Sequence, residues 1–529
     1  MDGNIITETH VTVSQEDDAE IRSINLKNNS NNDRVIEVTS YCEVTLANYN
    51  ADLVHPSFSN LFVKTELREE PFCVLANRRK RSEKDISPWL IQTVAVEGQQ
   101  IGGFQYETSR IDFIGRGRNL SNPQVMDNEA NLKSSLGPVL DPIISIRTRV
   151  RLKAKENCMV AYTTAFCNSK EEGIKIAEKY RNIDNVKNAF NLSWSHSNLE
   201  MKHLGIRSTA ANMYQYIVSN ILFINRNMKE RENYIKYIKS GQSDLWAYGI
   251  SGDYPIVLAT LDKESGIDIV RQLLIAYRYW KMKNINVDLI IVNTKESSYI
   301  QSIEDSILNL INTLGLMNNI NKSAGIFLFN KSTMKEEALS LLKAICRLYI
   351  DANKGSLAEQ IDTGNNKNKE LDLLQKKEIQ YTAKPYNFKV LKLEYFNDIG
   401  GFDMGNNEYT IVLKDYNNTP LPWINVMSNG NFGFHVSESG SSYSWYKNSR
   451  ENKLTNWCND PVIDGESEHI YIRDEETGEI WSITPKPIRD EGKYIINHGF
   501  GYSNFKHYTK GIIGKLQVIV LWRITVKYL

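Results

Sequence analysis

The chain has 529 residues, too many for one compact core, and at roughly 100 to 200 residues per domain it divides into three or so units. Lysine plus arginine equals aspartate plus glutamate at 63 each, so the formal net charge is zero; this excludes the broad electrostatic footprint of a nucleic-acid or anionic-membrane binder and points to a neutral substrate. Six cysteines (Cys42, Cys73, Cys158, Cys167, Cys346 and Cys458) lie too far apart for the paired spacing of zinc or redox sites, and are expected as reduced, mostly buried thiols of a cytoplasmic protein.

The N-terminus, MDGNIITETH, is acidic and polar where a secretory signal needs positive charge followed by an apolar run. From Ile5 to about Val63, and on through Trp89 to Glu97 and Ile143 to Leu152 until near Phe166, apolar and polar residues alternate with period two. Such a pattern predicts antiparallel strands with a buried face and hence a large β-sandwich. Two local features in this block invite functional readings. Arg78, Arg79, Lys80 and Arg81 could form a nucleic-acid or targeting patch, but between strands and ahead of Glu83 and Asp85 they read as a solvated loop. Gly115, Arg116, Gly117 and Arg118 could cradle a phosphate, yet they lack the lysine and the strand-to-helix setting of a P-loop, and a polar turn is expected.

At Lys170 the period changes to three and four, predicting helices through KEEGIKIAEKYRNIDNVKNAFNLSWSHSNLEMKHL and then TAANMYQYIVSNILFIN. His196 and His203 lie seven apart on one helix face without a third ligand nearby, so no metal site is expected. Next, the apolar runs Pro255 to Leu261, Val287 to Asn293 and Gly325 to Asn330 alternate with helical stretches Lys263 to Lys283, Tyr299 to Leu314 and Met334 to Ile350. That order predicts a small three-strand parallel α/β unit covered on both faces, with Asp262, Asn293, Lys295, Asn330 and Lys331 at the strand ends where ligands of such sheets bind. There is no GxGxxG, so a nucleotide is not indicated. Just upstream, Asp244 and Asp253 flank Trp246 and Tyr248 as a possible acid and base pair, while Ser251, Gly252 and Asp253 before Pro255 read as a turn into a strand; the turn is the preferred reading.

An asparagine-rich loop (Gly364 to Lys369) and a charged helix (Lys367 to Gln380) lead through Pro385 into a second β-rich block, with strands at Tyr409 to Lys414, His469 to Arg473, Ile480 to Thr484 and Lys493 to Ile496 and a hairpin turn at Asp474 to Gly478. Its last segment, Gly511 to Leu529, is interrupted by Lys515, Arg523 and Lys527 and falls short of the roughly 20 apolar residues that span a bilayer. Within the block, Trp423 to Asp460 gathers Trp423, Tyr443, Trp445 and Trp457 among Gly, Ser and Asn, with Arg450 and Glu451 between Asn448 and Asn452. Flat rings present a face to the C–H side of a sugar, and Asn, Arg and Glu supply directed hydrogen bonds to its hydroxyls. A sandwich strand and loop with aromatics in its core accounts for the same residues, and composition alone favours it.

The runs GGFDMGNNEYTIVLKD (Gly400 to Asp415), TPLPWINVMSN, FGFHVSESGSSYSWYKNSRENKLTNWCNDPV, YIRDEETGEIWSITPKPIR and HGFGYSNFKH are similar to the N-terminal super-sandwich of glycoside hydrolase family 94, formerly glycosyltransferase family 36. The family includes cellobiose-type phosphorylases and the phosphorylase-like region of cyclic β-1,2-glucan synthases. This resemblance covers about Leu393 to Ile512 almost without gaps. Upstream, HPSFSNLFVKTE (His55 to Glu66), QYETSRIDFIGRGRN (Gln105 to Asn119), LGPVLDPI (Leu136 to Ile143), SDLWAYGISGDYPI and GSLAEQ (Gly355 to Gln360) resemble segments of cyclic β-1,2-glucan synthases in the same order.

The resemblance implies two antiparallel β-super-sandwiches (1–166 and 386–529, each incomplete at its outer end) flanking a helical segment (167–245) and an α/β unit with its linker helix (246–385), without an (α/α)6 barrel. In the family an inverting phosphorylase uses an Asp on such a barrel to protonate the leaving oxygen while inorganic phosphate attacks from the other face. Neither a catalytic residue nor a metal or cofactor is therefore expected in this chain. What carries over is the loop reaching toward the acceptor end of a catalytic cleft, often a neighbouring subunit's; here it is Ser439 to Asp460, which makes Tyr443, Trp445, Arg450, Asn452 and Asp460 the expected sugar contacts. The function so implied is binding of a β-glucan or gluco-oligosaccharide without catalysis by this chain alone. The alternative is a non-catalytic scaffold that dimerises or completes a separately encoded barrel.

Overall fold

The period-two stretches fold as antiparallel strands in the computed structural model, which describes residues 4–80, 82–83, 87–127, 131–224, 231–236, 238–295, 302–361, 392–465 and 467–521. The helix expected at Lys367 to Gln380 and the asparagine-rich loop before it lie outside the described residues. Two compact bodies make up the chain: Met1–Ser193 with Leu373–Leu529, and Trp194–Asp372. The two β-rich blocks, more than two hundred residues apart in sequence, thus belong to one body.

In the first block, six antiparallel strands run in the order Ile5–Val13, Ala19–Asn28, Asn157–Cys167, Trp89–Glu97, Cys73–Arg78, Val63–Arg68. Both faces of this sheet are covered, and alternation decides which side chain goes where. On Cys73–Arg78, Val74 and Ala76 join Ile144, Ile146 and Val150 of a second sheet built on Pro142–Leu152. Cys73 and Leu75 face the other way, onto Ile176, Ala177 and Tyr180 of the helix Lys170–Tyr180. That helix starts where Ser169 accepts a hydrogen bond from the Glu172 N–H and the Glu172 carboxylate accepts one from the Asn168 N–H, a reciprocal cap worth about 1 kcal/mol. The continuous helical pattern from Lys170 to Leu204 is in fact two helices, Lys170–Tyr180 and Ile183–Leu204.

The second block is a five-stranded antiparallel sheet (Gly400–Asp403, Glu408–Leu413, Tyr494–Gly499, Tyr502–Thr509, Ile512–Ile519) facing a three-stranded one (Ile424–Ser428, Phe432–Ser437, Ser442–Tyr446). Ile411, Leu413, Tyr494, Ile496 and Phe505 from the first meet Met427, Phe434 and Val436 from the second in a common core. The hairpin at Asp474 to Gly478 closes by Gly478 N–H donating to the Asp474 carbonyl at 2.8 Å. Multiple antiparallel sheets with flanking helices are therefore the architecture of this body, and no (α/α)6 barrel is formed among the described residues.

The other body holds an all-parallel sheet in the order Ile326–Asn330, Asp288–Asn293, Ile256–Leu261, Leu348–Asp351. Both faces are buried: Ile267–Met282 and Ser302–Thr313 cover one, Glu336–Ile345 the other. The fourth strand lies where the sequence predicts the end of the third helix. Leu348 and Ile350 continue the apolar texture of Glu336–Ile345, so nothing in the periodicity marks the change; the chain leaves the helix at Cys346. No described helix is long and apolar enough to cross a membrane.

Candidate functional site

The short helix Arg110–Ile114 sits where the two β-blocks meet. Its Phe113 and Ile114 are buried with Ile143 from the first block and Val462 from the second, a small apolar core that seals the joint. Its first residue, Arg110, brings a charge into this partly covered joint and collects carboxylates there. Nη1 and Nη2 donate to Asp460 Oδ1 and Oδ2 at 3.0 and 2.7 Å, a two-pronged pair that fixes orientation as well as distance. Nη1 also reaches Asp141 Oδ2 at 3.0 Å, and Nε reaches Glu43 Oε1 at 3.1 Å. Arg110 is 9 % exposed at the side chain, Asp460 20 % and Asp141 27 %, so the cluster is partly desolvated and screened less than a surface pair.

Around one guanidinium the carboxylates are driven in different directions. Burial opposes ionisation of Asp460, but Arg110 together with the N–H groups of Ile463 and Val462 outweighs it and holds this carboxyl below its usual range. For Asp141 burial dominates; Arg110 pulls the other way, and the like charges of Asp460 and Glu43 add to the upward push. Asp460 is the fixed acceptor, and Asp141 is the carboxyl more easily protonated. Beside them opens a cavity of about 410 Å3, whose wall includes Ser57, Asn60, Arg110, Asp141, Asn459 and Asp460. Asn60 Nδ2 donates to Asp141 Oδ1 at 3.3 Å, and Ser57 Oγ donates to the Asn459 carbonyl at 2.8 Å, so the helix Pro56–Asn60 is tied to both blocks. Carboxylates, amides and a hydroxyl converging at one concavity match what a ring of sugar hydroxyls can bond.

Of the residues named from sequence, Asp460 lines this cavity. Tyr443 lies in the strand Ser442–Tyr446, is 3 % exposed, and stacks on Trp457 with ring centroids 4.9 Å apart and 6° between planes. His435 meets Tyr443 edge-on at 4.5 Å and Trp457 at 5.6 Å, so these rings cover one another. Trp445 is half-buried and lies across Gly433, its partner in the sheet register. Arg450 and Asn452 are exposed in the turn that follows, where the Asn448 side chain accepts from the Arg450 N–H at 2.9 Å and the Asn452 N–H donates to the Asn448 carbonyl at 3.1 Å. Among the described residues no hydrogen bond or ion pair joins Arg450 or Asn452 to Asp460. The stretch Ser439 to Asp460 is thus a strand, an exposed turn and a return segment whose end enters the cavity.

Arg110, Asp141 and Glu43 were not singled out from sequence. Arg110 and Asp141 do lie inside two of the resembling motifs, QYETSRIDFIGRGRN and LGPVLDPI, and Asp460 inside a third. Charged residues within resembling segments were the available signal. The basic tetrad differs from the expected solvated loop at its first member: Arg78 ends the strand Cys73–Arg78, is 8 % exposed, and donates to the Ser59 carbonyl and hydroxyl at 3.0 and 2.9 Å. It thereby anchors the helix that carries Ser57 and Asn60.

Asp244 accepts from the Gly241 N–H at 2.7 Å and the Asp253 N–H donates to Ser251 Oγ at 3.1 Å, the bonds of turns. His196 lies 3.5 Å from Glu200, and among the described residues no group of three or more His, Cys, Asp or Glu is placed to hold a metal ion. Cys73, Cys158, Cys167 and Cys346 are buried free thiols, and burial pushes them up to about 11 or 12.

The two β-blocks, one body in the structure, are also spanned by a single family model: the glycosyl hydrolase 94 supersandwich domain matches residues 1–183 and 407–528. The chain belongs to this family. It is 32 % identical over 518 residues, 95 % of its length, to "Cyclic beta-(1,2)-glucan synthase NdvB" of Rhizobium meliloti (strain 1021). It is also 30 % identical over 138 residues to "N,N'-diacetylchitobiose phosphorylase" of Vibrio proteolyticus and 32 % over 124 residues to the protein of the same description from Vibrio furnissii, matches that cover 24 % and 23 % of this chain. The matched regions span 18 %, 17 % and 15 % of those three relatives' own lengths.

Proposed function

We propose that this chain is the sugar-facing module of a β-glucan-acting protein, and that it binds a β-linked gluco-oligosaccharide in the cavity at the Arg110 cluster. The observation that carries the reading is the convergence of three resembling motifs, through Arg110, Asp141 and Asp460, on one concavity of about 410 Å3. The Asp460 and Asp141 carboxylates accept from hydroxyls, while the Asn60 amide can both donate and accept, so the wall distinguishes hydroxyl orientations. Tyr443, buried and stacked on Trp457, braces the strand that leads into this loop rather than stacking on sugar, and Trp445, Arg450 and Asn452 contact the part of the saccharide that extends beyond the cavity. Bond breaking belongs to an (α/α)6 barrel of a partner or elsewhere in the same protein, with inorganic phosphate as a substrate there; this chain alone releases no glucose 1-phosphate from β-1,2-gluco-oligosaccharides. A cytoplasmic location is part of the proposal and is supported by the free buried thiols.

Titration calorimetry with β-1,2-gluco-oligosaccharides tests it. Asp141→Asn keeps the shape of the wall and loses a charge-assisted bond, so affinity should fall about tenfold or more. Equal affinity in the wild type and the variant, or no binding by the wild type, would contradict the assignment.

A second reading, a scaffold that docks a barrel or a second copy of the chain, is favoured by the exposed apolar side chains Tyr446 (42 %) and Leu454 (57 %) that flank Arg450. Sedimentation as a monomer, unchanged on adding the protein encoded next to it, would count against this reading.

A further inference from the structure

The six-stranded sheet of the first block is covered on its helical face only in part. Alternation puts Ala19, Ile21, Ser23, Asn25 and Lys27 of the strand Ala19–Asn28 on that face, so the side chains offered to it turn from apolar to polar along the strand. The start of the helix Ile183–Leu204 crosses the apolar part. Val186 and Ala189 pack in one buried cluster with Ile21 and Ala161, Lys187 Nζ donates to Glu97 Oε1 at 2.8 Å, and the Phe190 ring meets His10 edge-on at 6.4 Å.

Beyond this crossing two rows of the sheet register stay open. Glu8, Asn25, Met159 and Glu97 stand side by side across four strands, and Ile6, Lys27 and Asn157 form the next row. Both rows line a cavity of about 610 Å3, a size that suits a ligand, and the cavity shares no residue with the one at Arg110. From Glu8 to Glu97 the row crosses three strand spacings, about 14 Å, so the cavity is a trough suited to an elongated ligand.

The floor is apolar at its middle, where Met159 is 9 % exposed and Ile6 is half-buried. The polar groups around it are free to bond a ligand. Among the described residues the side chains of Asn25, Lys27 and Asn157 make no hydrogen bond or ion pair, and the Glu8 carboxylate meets only His10, at 4.0 Å. Charge is balanced as well: Lys27 offsets Glu8 and Lys187 offsets Glu97, so nothing in the trough selects an ion of either sign.

We propose that this trough is a second saccharide site, which holds a stretch of neutral β-glucan across the sheet and is separate from the Arg110 cavity. The C–H face of a pyranose lies on Met159 and Ile6, its hydroxyls donate to Glu8 and Glu97, and the amides of Asn25 and Asn157 both donate and accept. Lys27 donates from the rim. The choice of β-glucan rests on the substrate class proposed above, whereas the site rests on the open face of the sheet and stands without sugar binding at Arg110.

Nuclear magnetic resonance of the methyl-labelled full chain, titrated with β-1,2-gluco-oligosaccharide, reads the two cavities separately: Met159 and Ile6 report on the trough, Leu61 and Leu140 on the Arg110 cavity. The Met159 and Ile6 signals should shift to saturation. Asn25→Ala combined with Asn157→Ala should raise their midpoint about tenfold or more and leave that of Leu61 and Leu140 unchanged, while Asp141→Asn should do the reverse. Oligolysine, a basic chain of similar reach, should move neither Met159 nor Ile6. If saccharide leaves the Met159 and Ile6 signals in place, if oligolysine shifts them instead, or if the folded double variant keeps the wild-type midpoint, the proposal is overturned even where Leu61 and Leu140 respond. Shifts at Met159 and Ile6 that depend on the two asparagines, with Leu61 and Leu140 unmoved, would support the trough and overturn the Arg110 assignment.

Discussion

Arg110 holds together residues that are up to 417 positions apart, Glu43 and Asp460, and does so with one side chain that is 9 % exposed. Removing it strands Asp460 and Asp141, which are themselves largely covered, while Glu43 is exposed. Arg110→Met is therefore expected to cost about 3 to 5 kcal/mol in urea denaturation, with part of that recovered in the double variant with Asp460→Asn because the stranded charge is gone. Additive losses would mean that the two residues act separately. A second buried group sets a pH dependence. Burial lowers His498 to about 4 from 6.5, although its ring nitrogens approach Ser503 Oγ at 2.9 Å and the Trp423 carbonyl at 3.2 Å. As pH falls the unfolded chain takes up this proton first. The contribution of His498 is thus fully present above pH 6.5 and is lost progressively between 6.5 and about 4, in total about 3 kcal/mol. Thermal unfolding followed over that range should show a flatter curve for His498→Gln than for the wild type; parallel curves would show that this histidine does not titrate abnormally.

At the scale of elements, the strand pair Phe432–Ser437 and Ser442–Tyr446 depends on a glycine facing a tryptophan. A Cβ at position 433 would lie 2.1 Å from the Trp445 ring, so the indole lies across the strand only because no side chain is there. Gly433→Ala should displace the ring, cost about 1 to 3 kcal/mol, and change the near-ultraviolet circular dichroism of the indole. An unaltered spectrum would contradict this packing.

Elements of this kind were largely legible in the sequence. Alternation marked Trp89–Glu97 and Pro142–Leu152, and apolar runs marked Ile256–Leu261 and Asp288–Asn293. The strand Leu348–Asp351 was not legible, because four residues after an amphipathic helix carry too few positions to show a change of period. Site residues followed the same division. Asp460 came from motif resemblance, whereas Arg110 is defined by its contact with Asp460 across 350 residues, and Asp141 by its contact with Arg110 across 31, separations that periodicity, a local signal, cannot report.

On the scale of the whole molecule, the consequence is that the two β-blocks act as one supersandwich-type body, joined by the Phe113 and Val462 core, the Arg110 fork and the ion pair of Arg116 with Glu438. A chain of this family whose cavity wall is assembled from both blocks cannot form that wall from either block alone. Phosphorolysis provides one check at this scale: with β-1,2-gluco-oligosaccharide and phosphate the purified chain is expected to release no glucose 1-phosphate, and measurable release would show that it carries a catalytic acid of its own.

The most direct measurement is hydrogen exchange with and without saturating β-1,2-gluco-oligosaccharide. Saccharide bound at the Arg110 cavity should protect segments 56–61, 140–141 and 458–461 together, since all three line one wall. Protection confined to the exposed turn at 447–453, protection in one block only, or none at all would contradict the claim that the joint between the blocks is the sugar site.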